Sequence, residues 1–186
     1  MKIVFIGDSL TQYFDWQSRF PEHTVTNLGV AGESVQELLE RIDIISYTID
    51  RPDIIFVMTG INNIVMEEYD IVESYRKIMK KLSATFKNAE LVVQSILPAV
   101  LSWIDNNIIE SINMSLKGIA QEVKAEYLDI TRLFISASGR PVSAYLLDDG
   151  VHVSDKGYEV WSKVVESFID HSRKRISRSL SRSSSE

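Results

Sequence analysis

Five short apolar runs, rich in β-branched residues, alternate along the chain with longer segments whose apolar residues recur at helical spacing. The run at 54–58, Ile-Ile-Phe-Val-Met, contains no polar position, which is typical of a strand buried on both faces of a parallel sheet. The hydrophobic pattern therefore predicts five strands, at residues 2–6, 24–28, 53–59, 90–96 and 126–130.

Four amphipathic segments predict long helices between these strands and after the last one. Ser34 and Glu37 form a capping-box pattern at the start of the first segment, and Ser102 and Asp105 give a similar signal for the third. We expect the four helices to begin at Ser34, near residue 67, near Trp103 and after Ser154. Strand–helix alternation predicts a three-layer α/β/α domain with right-handed crossovers, and we expect five parallel strands in a flavodoxin-like order.

The 186 residues suit one domain, and their formal net charge of -6 is unevenly distributed. Residues 171–186 carry five Lys or Arg and one Glu, a net +4, which leaves -10 on residues 1–170. An acidic body argues against a nucleic-acid platform, because contacts to phosphates dominate such binding. We therefore expect no nucleic-acid partner.

Seven of the sixteen residues at 171–186 are serine, so this segment has little apolar surface with which to order itself. We expect a folded domain over residues 1–170, followed by a flexible Ser/Arg-rich tail at 171–186. A basic arm for an acidic partner or a membrane surface is the alternative interpretation of the same segment.

The chain contains no cysteine, which excludes a disulfide framework, a thiolate metal site and a cysteine nucleophile. No apolar run reaches the roughly 20 residues of a membrane span or the about 7–15 residues of a secretory signal. We therefore expect a cytoplasmic protein without a membrane span. No Walker loop, dinucleotide fingerprint or His-rich metal set occurs, so we expect neither a metal nor a cofactor.

Glycine-bearing or polar segments follow three of the predicted strands, and a fourth precedes the last predicted helix. Ligands of open parallel sheets bind at the carboxyl ends of the strands, so we expect these segments to converge on one edge of the sheet. The segments are Gly7-Asp8-Ser9-Leu10, Asn27-Leu28-Gly29, Gly60-Ile61-Asn62-Asn63 and Asp149-Gly150-Val151-His152.

In these four segments the chain resembles the GDSL esterase/lipase superfamily, also called SGNH hydrolases. Ser9 matches the first block of that family, Gly29 the second and Asn62 the third. Asp149 and His152 match the Asp-x-x-His of the last block, and the likeness extends from residue 3 to about residue 170. The resemblance implies a cofactor-free serine esterase that acts on a small-molecule ester.

The same residues suit acyl transfer on chemical grounds. A serine hydroxyl is a weak nucleophile unless a base takes its proton, and His152 can do this for Ser9 while Asp149 orients the imidazole. We expect the N–H groups of Ser9 and Gly29 and the side-chain amide of Asn62 to form the oxyanion hole.

Each of these residues also has a structural interpretation. Ser9 could only cap a helix, and His152 could be an ordinary loop residue. Gly29 could serve turn geometry alone, Asn62 could satisfy backbone groups at the strand end, and Asp148 could be the partner of the histidine.

The third block departs from the family's usual Gly-x-Asn-Asp, because Asn63 stands where Asp is common. The platelet-activating-factor acetylhydrolase-like branch also tolerates Asn there, which favours a short acyl group. We expect Asn63 only to brace its loop, so that Asn63→Asp would keep most of the activity.

Several alternatives for the function stay open. A carbohydrate or peptidoglycan O-acetyl esterase and a lysophospholipase belong to the same enzyme class, whereas a module that binds a lipid or an acetylated sugar would be non-catalytic. A homodimer is the commonest assembly if the chain self-associates. Candidate substrate-pocket residues follow the strands: Tyr13, Phe14, Leu97, Pro98, Val100, Trp103 and Tyr145.

Overall fold

The structure, a computed structural model, describes the backbone of residues 1–183 and the side chains up to residue 175. Its five strands are β1 (Lys2–Gly7), β2 (Thr24–Gly29), β3 (Ile54–Met58), β4 (Glu90–Gln94) and β5 (Glu126–Leu128). All neighbouring strands pair in parallel, in the order β2-β1-β3-β4-β5. This order confirms the predicted flavodoxin-like sheet.

The α-helices of the described residues are four long ones and four of only four or five residues. The long helices match the four predicted segments, whereas the short ones span too few residues to produce a periodic pattern. The eight are α1 (Ser9–Gln12), α2 (Trp16–Arg19), α3 (Val35–Thr48), α4 (Ile61–Val65), α5 (Val72–Thr85), α6 (Asn106–Glu122), α7 (Thr131–Phe134) and α8 (Asp155–Ser183).

The centre of the sheet is the core of the domain. Every residue of β3 is buried, and side chains alternate between the two faces of a strand, so helices cover both faces. Phe56 of β3 stacks on Phe5 of β1 and meets Phe168 of α8 edge-on. On this rigid frame, the loops at the carboxyl ends of the strands are held in fixed positions.

Two predicted helix starts differ from the structure. The second long helix begins at Val72 rather than near residue 67, because Glu67 has a φ of 60° and breaks the helical path after α4. The third begins at Asn106, and Asp105 is itself the N-cap, with its carboxylate accepting from Asn107 N. The capping box of Ser34 at the start of α3 is confirmed.

Helix α8 continues past residue 170, where the sequence led us to expect a flexible tail. Ser172 is buried and donates to Glu90 Oε2 at 2.6 Å, and Arg175 pairs with the same carboxylate. Polar contacts to Glu90, rather than apolar burial, therefore hold the first residues of that segment on the domain. The part of the expected tail at 184–186 lies outside the described residues.

Candidate active site

Ser9 lies at the turn between β1 and α1. Asp8 caps the helix, since its carboxylate accepts from Leu10 N at 3.0 Å. Ser9 is the first residue of α1, so its N–H has no acceptor within the helix and points out of the helix end. The turn therefore presents both a hydroxyl and a free backbone donor at the carboxyl edge of the sheet.

His152 connects Ser9 to Asp149 across the fold. Its Nδ1 lies 2.7 Å from Asp149 Oδ2, and its Nε2 lies 3.1 Å from Ser9 Oγ. When Nδ1 carries the proton and donates to the carboxylate, Nε2 is free to accept from the serine hydroxyl. The structure thus brings together the three residues that the sequence singled out as nucleophile, base and orienting acid.

Asp149 is fixed by its own loop. Its Oδ1 accepts from the backbone N–H groups of Val151 at 2.9 Å and His152 at 2.8 Å. Burial raises the pKa of Asp149, but these hydrogen bonds and the contact with the imidazole lower it more, so its pKa lies below the ordinary value. Asp149, and not the neighbouring Asp148, makes the contact with the histidine.

Gly150 allows this loop to form. Its φ is 73°, in the left-handed region, and an added Cβ would lie 2.3 Å from the backbone oxygen of Val100. Val100 N in turn donates to Gly150 O at 2.7 Å. The Asp-x-x-His segment is therefore held directly against the loop that follows β4.

Gly29 occupies the expected place, but its N–H already has an acceptor. A Cβ at Gly29 would lie 2.5 Å from Gln12 N, so only glycine fits against α1 here. Its N–H donates to Asn27 Oδ1 at 3.0 Å, which differs from the free donor that the sequence led us to expect. An oxyanion would reach this N–H only after Asn27 released it.

Asn62 keeps half of its donor capacity available. One side-chain N–H of Asn62 donates to the backbone oxygen of Glu33 at 2.9 Å. The amide nitrogen carries two hydrogens, so the second remains for a ligand. Asn62 and the N–H of Ser9 are therefore the readiest oxyanion donors of the three that the sequence predicted.

The sequence analysis assigned no role to Asn27, which connects β2 to α1. Its amide nitrogen donates to the backbone oxygens of Thr11 at 3.0 Å, Gln12 at 3.3 Å and Phe14 at 3.3 Å. The position of Asn27 two residues before the glycine of the second block was the only available signal.

A buried ion pair, also missed, holds the loop between β2 and α3. The carboxylate of Glu33 is almost fully buried and pairs through both oxygens with Arg41 of α3, one contact being 2.8 Å. The same guanidinium donates to the backbone oxygen of Leu28 at 2.8 Å. Because Asn62 is bonded to Glu33, the ion pair also fixes the place of that donor.

Asn63 is fully buried and joins α4 to the start of α3. Its Oδ1 accepts from Val35 N at 2.9 Å. Its amide nitrogen donates to Gln36 Oε1 at 2.9 Å and to the carboxylate of Glu68 at 3.4 Å. Both ends of the amide are used, so this site requires a donor as well as an acceptor.

Asp8 is the strongly perturbed acid of the site. Burial raises its pKa to about 7, although the hydrogen bond from Leu10 N opposes the shift. The backbone N–H of Gly60 also opposes the shift, although Oδ2 of Asp8 forms no hydrogen bond of good geometry among the described residues. A buried carboxyl with one unpaired oxygen is more stable in its neutral form.

Exposed apolar side chains of the loops at this edge of the sheet form what we call the apolar rim. Its members are Tyr13, Val30, Met66, Val100, Trp103 and Leu147. Three of them, Tyr13, Val100 and Trp103, are among the predicted pocket residues. Of the others, Leu97 and Pro98 are buried, Phe14 stacks on Tyr158, and Tyr145 packs edge-on against Phe134.

A cavity of about 680 Å³ lies apart from the triad, between α6 and the segment from β5 to residue 139. None of Ser9, Asp149 and His152 lines it. Within the described part of the chain, no cluster of His, Cys, Asp or Glu is arranged to hold a metal ion. In the same residues no helix is long and apolar enough to cross a membrane.

Comparisons with known proteins identify a family and a similar curated protein. The model of the GDSL-like lipase/acylhydrolase family matches residues 5–160. The platelet-activating factor acetylhydrolase IB subunit alpha1 of Rattus norvegicus is 26% identical over 177 residues, which cover 90% of this chain and 75% of that protein.

Two solved structures share the fold. A GDSL-like lipase from Bacteroides thetaiotaomicron superposes with a TM-score of 0.71 at 18% identity, covering 91% of this chain and 88% of that one. The acetylxylan esterase Axe2 from Geobacillus stearothermophilus gives 0.70 at 20% identity, covering 88% of this chain and 91% of that one.

Proposed function

Because the chain belongs to the GDSL-like lipase/acylhydrolase family and is a carboxylic ester hydrolase, we propose that it acts through a serine acyl-enzyme. The observation that carries the proposal is the chain of contacts from Ser9 Oγ through His152 to Asp149, at 3.1 and 2.7 Å. A base within reach of a hydroxyl, and itself held by a carboxylate, is what nucleophilic catalysis by serine requires.

In the first half-reaction, Ser9 Oγ attacks the ester carbonyl while His152 Nε2 takes the hydroxyl proton. The imidazolium then gives that proton to the departing alcohol, and the acyl group stays on Ser9. Water attacks this acyl-enzyme with His152 again as base, which releases the acid and restores Ser9. Asp149, whose pKa is lowered, stays ionised and balances the imidazolium.

The tetrahedral intermediate carries a negative oxygen that needs donors. In our proposal the N–H of Ser9 and the second amide hydrogen of Asn62 bind it first. The N–H of Gly29 joins them when Asn27 releases it, so the first two donors carry more of the stabilisation.

The substrate we propose is an ester with a short acyl group. Two observations support this choice. The family relatives include an acetylhydrolase and an acetylxylan esterase, both named for removing acetyl groups. The apolar rim would contact an apolar part of the ester beside Ser9. An O-acetyl esterase acting on carbohydrate is the second candidate, which the name of Axe2 favours.

Covalent labelling tests the mechanism. A fluorophosphonate probe should add one adduct per chain at Ser9, and Ser9→Ala should abolish both the adduct and ester hydrolysis. Ser111→Ala, an exposed serine of α6, is the matched control and should label like the wild type. An adduct that persists in Ser9→Ala, or a wild type that neither labels nor hydrolyses esters, would contradict the proposal and favour a binding module.

A panel of esters tests the substrate class. We expect kcat/KM to fall from p-nitrophenyl acetate through butyrate to octanoate. Release of acetate from acetylated xylan faster than from small aryl esters would instead establish the carbohydrate O-acetyl esterase. A preference for octanoate would contradict the short acyl group and favour a lipase-like substrate.

A further inference from the structure

The aromatic ring of Tyr13 lies beside the imidazole of His152. The two ring centroids are 5.6 Å apart with 33° between the ring planes. Tyr13 caps the end of α1, and its N–H donates to Ser9 O at 3.0 Å. The same four-residue helix therefore carries the hydroxyl at one end and this aromatic ring at the other.

Both ring nitrogens of the imidazole have partners. Asp149 meets Nδ1 and Ser9 meets Nε2, and the ring of Tyr13 is a further neighbour that contacts neither nitrogen through a hydrogen bond. Tyr13 is nevertheless 61% exposed, so burial of an apolar side chain does not explain its position.

Three groups from the surrounding elements act on the charge of His152. Asp149, from its own loop, stabilises the imidazolium directly. Asp8, from the turn before α1, is buried and interacts with the same charge in its ionised form. Tyr13 adds an aromatic face within the roughly 6 Å over which a ring attracts a cation.

We propose that Tyr13 is a positioning residue that holds the His152 ring between Asp149 and Ser9 and stabilises the imidazolium that forms during catalysis. The inference rests on the proposed function for its catalytic consequence. Its electrostatic part concerns the resting protein and can be measured without a substrate.

The substitution pair Tyr13→Phe and Tyr13→Leu separates the aromatic face from side-chain volume. Loss of the ring makes the imidazolium less stable, so its proton leaves at lower pH. In Tyr13→Leu, the acid limb of the kcat profile should move down by about half a pH unit. At neutral pH, kcat should fall about two- to fivefold with little change in KM. Tyr13→Phe, which keeps the aromatic ring, should restore the acid limb to its wild-type position.

Titration of the histidine ring protons by NMR, in a Ser9→Ala background, gives a readout that does not depend on activity. The His152 midpoint should fall by about half a unit in Tyr13→Leu and stay unchanged in Tyr13→Phe. Tyr47→Leu, which alters an aromatic residue on α3 that is 91% exposed, is the matched control and should leave the midpoint unchanged.

The outcomes separate the two proposals. An unchanged NMR midpoint in Tyr13→Leu overturns the positioning role of Tyr13, as does a change confined to KM, which would leave Tyr13 with only the substrate contact of the apolar rim. Labelling that survives in Ser9→Ala overturns the proposed function instead. Circular dichroism should show a native fold for each variant, because Tyr13 and Tyr47 are exposed.

Discussion

The side-chain amide of Asn62 donates to the backbone oxygen of Glu33 at 2.9 Å, and this bond joins two loops of the candidate site. One loop follows β3 and carries the proposed oxyanion donor, and the other connects β2 to α3. Because Glu33 is itself paired with Arg41, the donor rests on a buried ion pair rather than on a free loop. The precision of the proposed oxyanion hole therefore depends on residues outside the four family blocks.

Replacing Asn62 with alanine removes a donor that acts on charge present only in the tetrahedral state. We expect kcat to fall on the order of 10²-fold while KM changes little. Steady-state kinetics on p-nitrophenyl acetate will measure both values. Asn107→Ala, on the exposed first turn of α6, is the control and should keep wild-type kinetics. A nearly silent Asn62→Ala would leave the oxyanion to backbone donors alone.

Asn63→Asp should destabilise the protein, a consequence that our expectation of retained activity did not address. The substitution replaces a buried donor with an acceptor that faces Gln36 Oε1 and the carboxylate of Glu68. We expect a loss of about 2–3 kcal/mol in the free energy of unfolding at pH 8. Protonating the new carboxyl would restore a donor, so the loss should shrink toward pH 4.

Urea unfolding at both pH values will measure this effect. Asn107→Asp is the matched control, because an acidic residue in the exposed first turn of a helix is neutral or stabilising. Equal stability of Asn63→Asp and the wild type at pH 8 would mean that the loop can turn Glu68 away from the buried site.

Breaking the Glu33–Arg41 pair should reduce both stability and activity. In Arg41→Met, the carboxylate of Glu33 stays buried without a partner. The free energy of unfolding should therefore fall by about 3–5 kcal/mol. The double variant Glu33→Leu/Arg41→Met should be more stable than Arg41→Met, because it removes the stranded charge. Thermal unfolding and kcat measurements on both variants will check this ordering.

An exposed pair supplies the control. Lys81 of α5 and Asp43 of α3 are 2.8 Å apart at the surface, and Lys81→Met should cost less than about 1 kcal/mol. If Arg41→Met were as mild as Lys81→Met, the ion pair could not be what holds the Glu33 loop.

The sequence was sufficient for the features that depend on local pattern. Apolar runs and glycine-bearing turns placed the strands, and the family blocks placed Ser9, Asp149 and His152 at one edge of the sheet. Helix starts were less certain, because Ser102 and Asp105 both resemble N-caps and only Asp105 takes that role.

Features that depend on distant partners could not be predicted. Arg41 reaches Glu33 and Leu28 only once α3 has packed, and nothing near Asn27 in the sequence indicates three backbone acceptors on another segment. For the same reason the sequence did not indicate the environment of Asn63, which includes Glu68 through the folded loop. Contacts across elements, rather than residue types, decide these positions.

Asp8 should make the stability of the protein depend on pH in the direction opposite to an ordinary salt-bridged acid. Burial raises its pKa to about 7 in the folded state, whereas an unfolded Asp titrates near ~3.9. Between those values the native state binds the extra proton, so stability attributable to Asp8 is complete below about pH 4 and falls as pH rises toward 7.

Asp8→Asn cannot ionise but can still accept from Leu10 N through its side-chain oxygen. We therefore expect the free energy of unfolding of Asp8→Asn, compared with that of the wild type, to increase by on the order of 2–4 kcal/mol as the pH rises from 4 to 8. Urea unfolding across that range will give the two slopes, with the exposed Asp148→Asn as the control that should keep the wild-type slope. Parallel curves for Asp8→Asn and the wild type would mean that Asp8 is already ionised at pH 4 in the folded protein, with water or a conformational change satisfying its second oxygen.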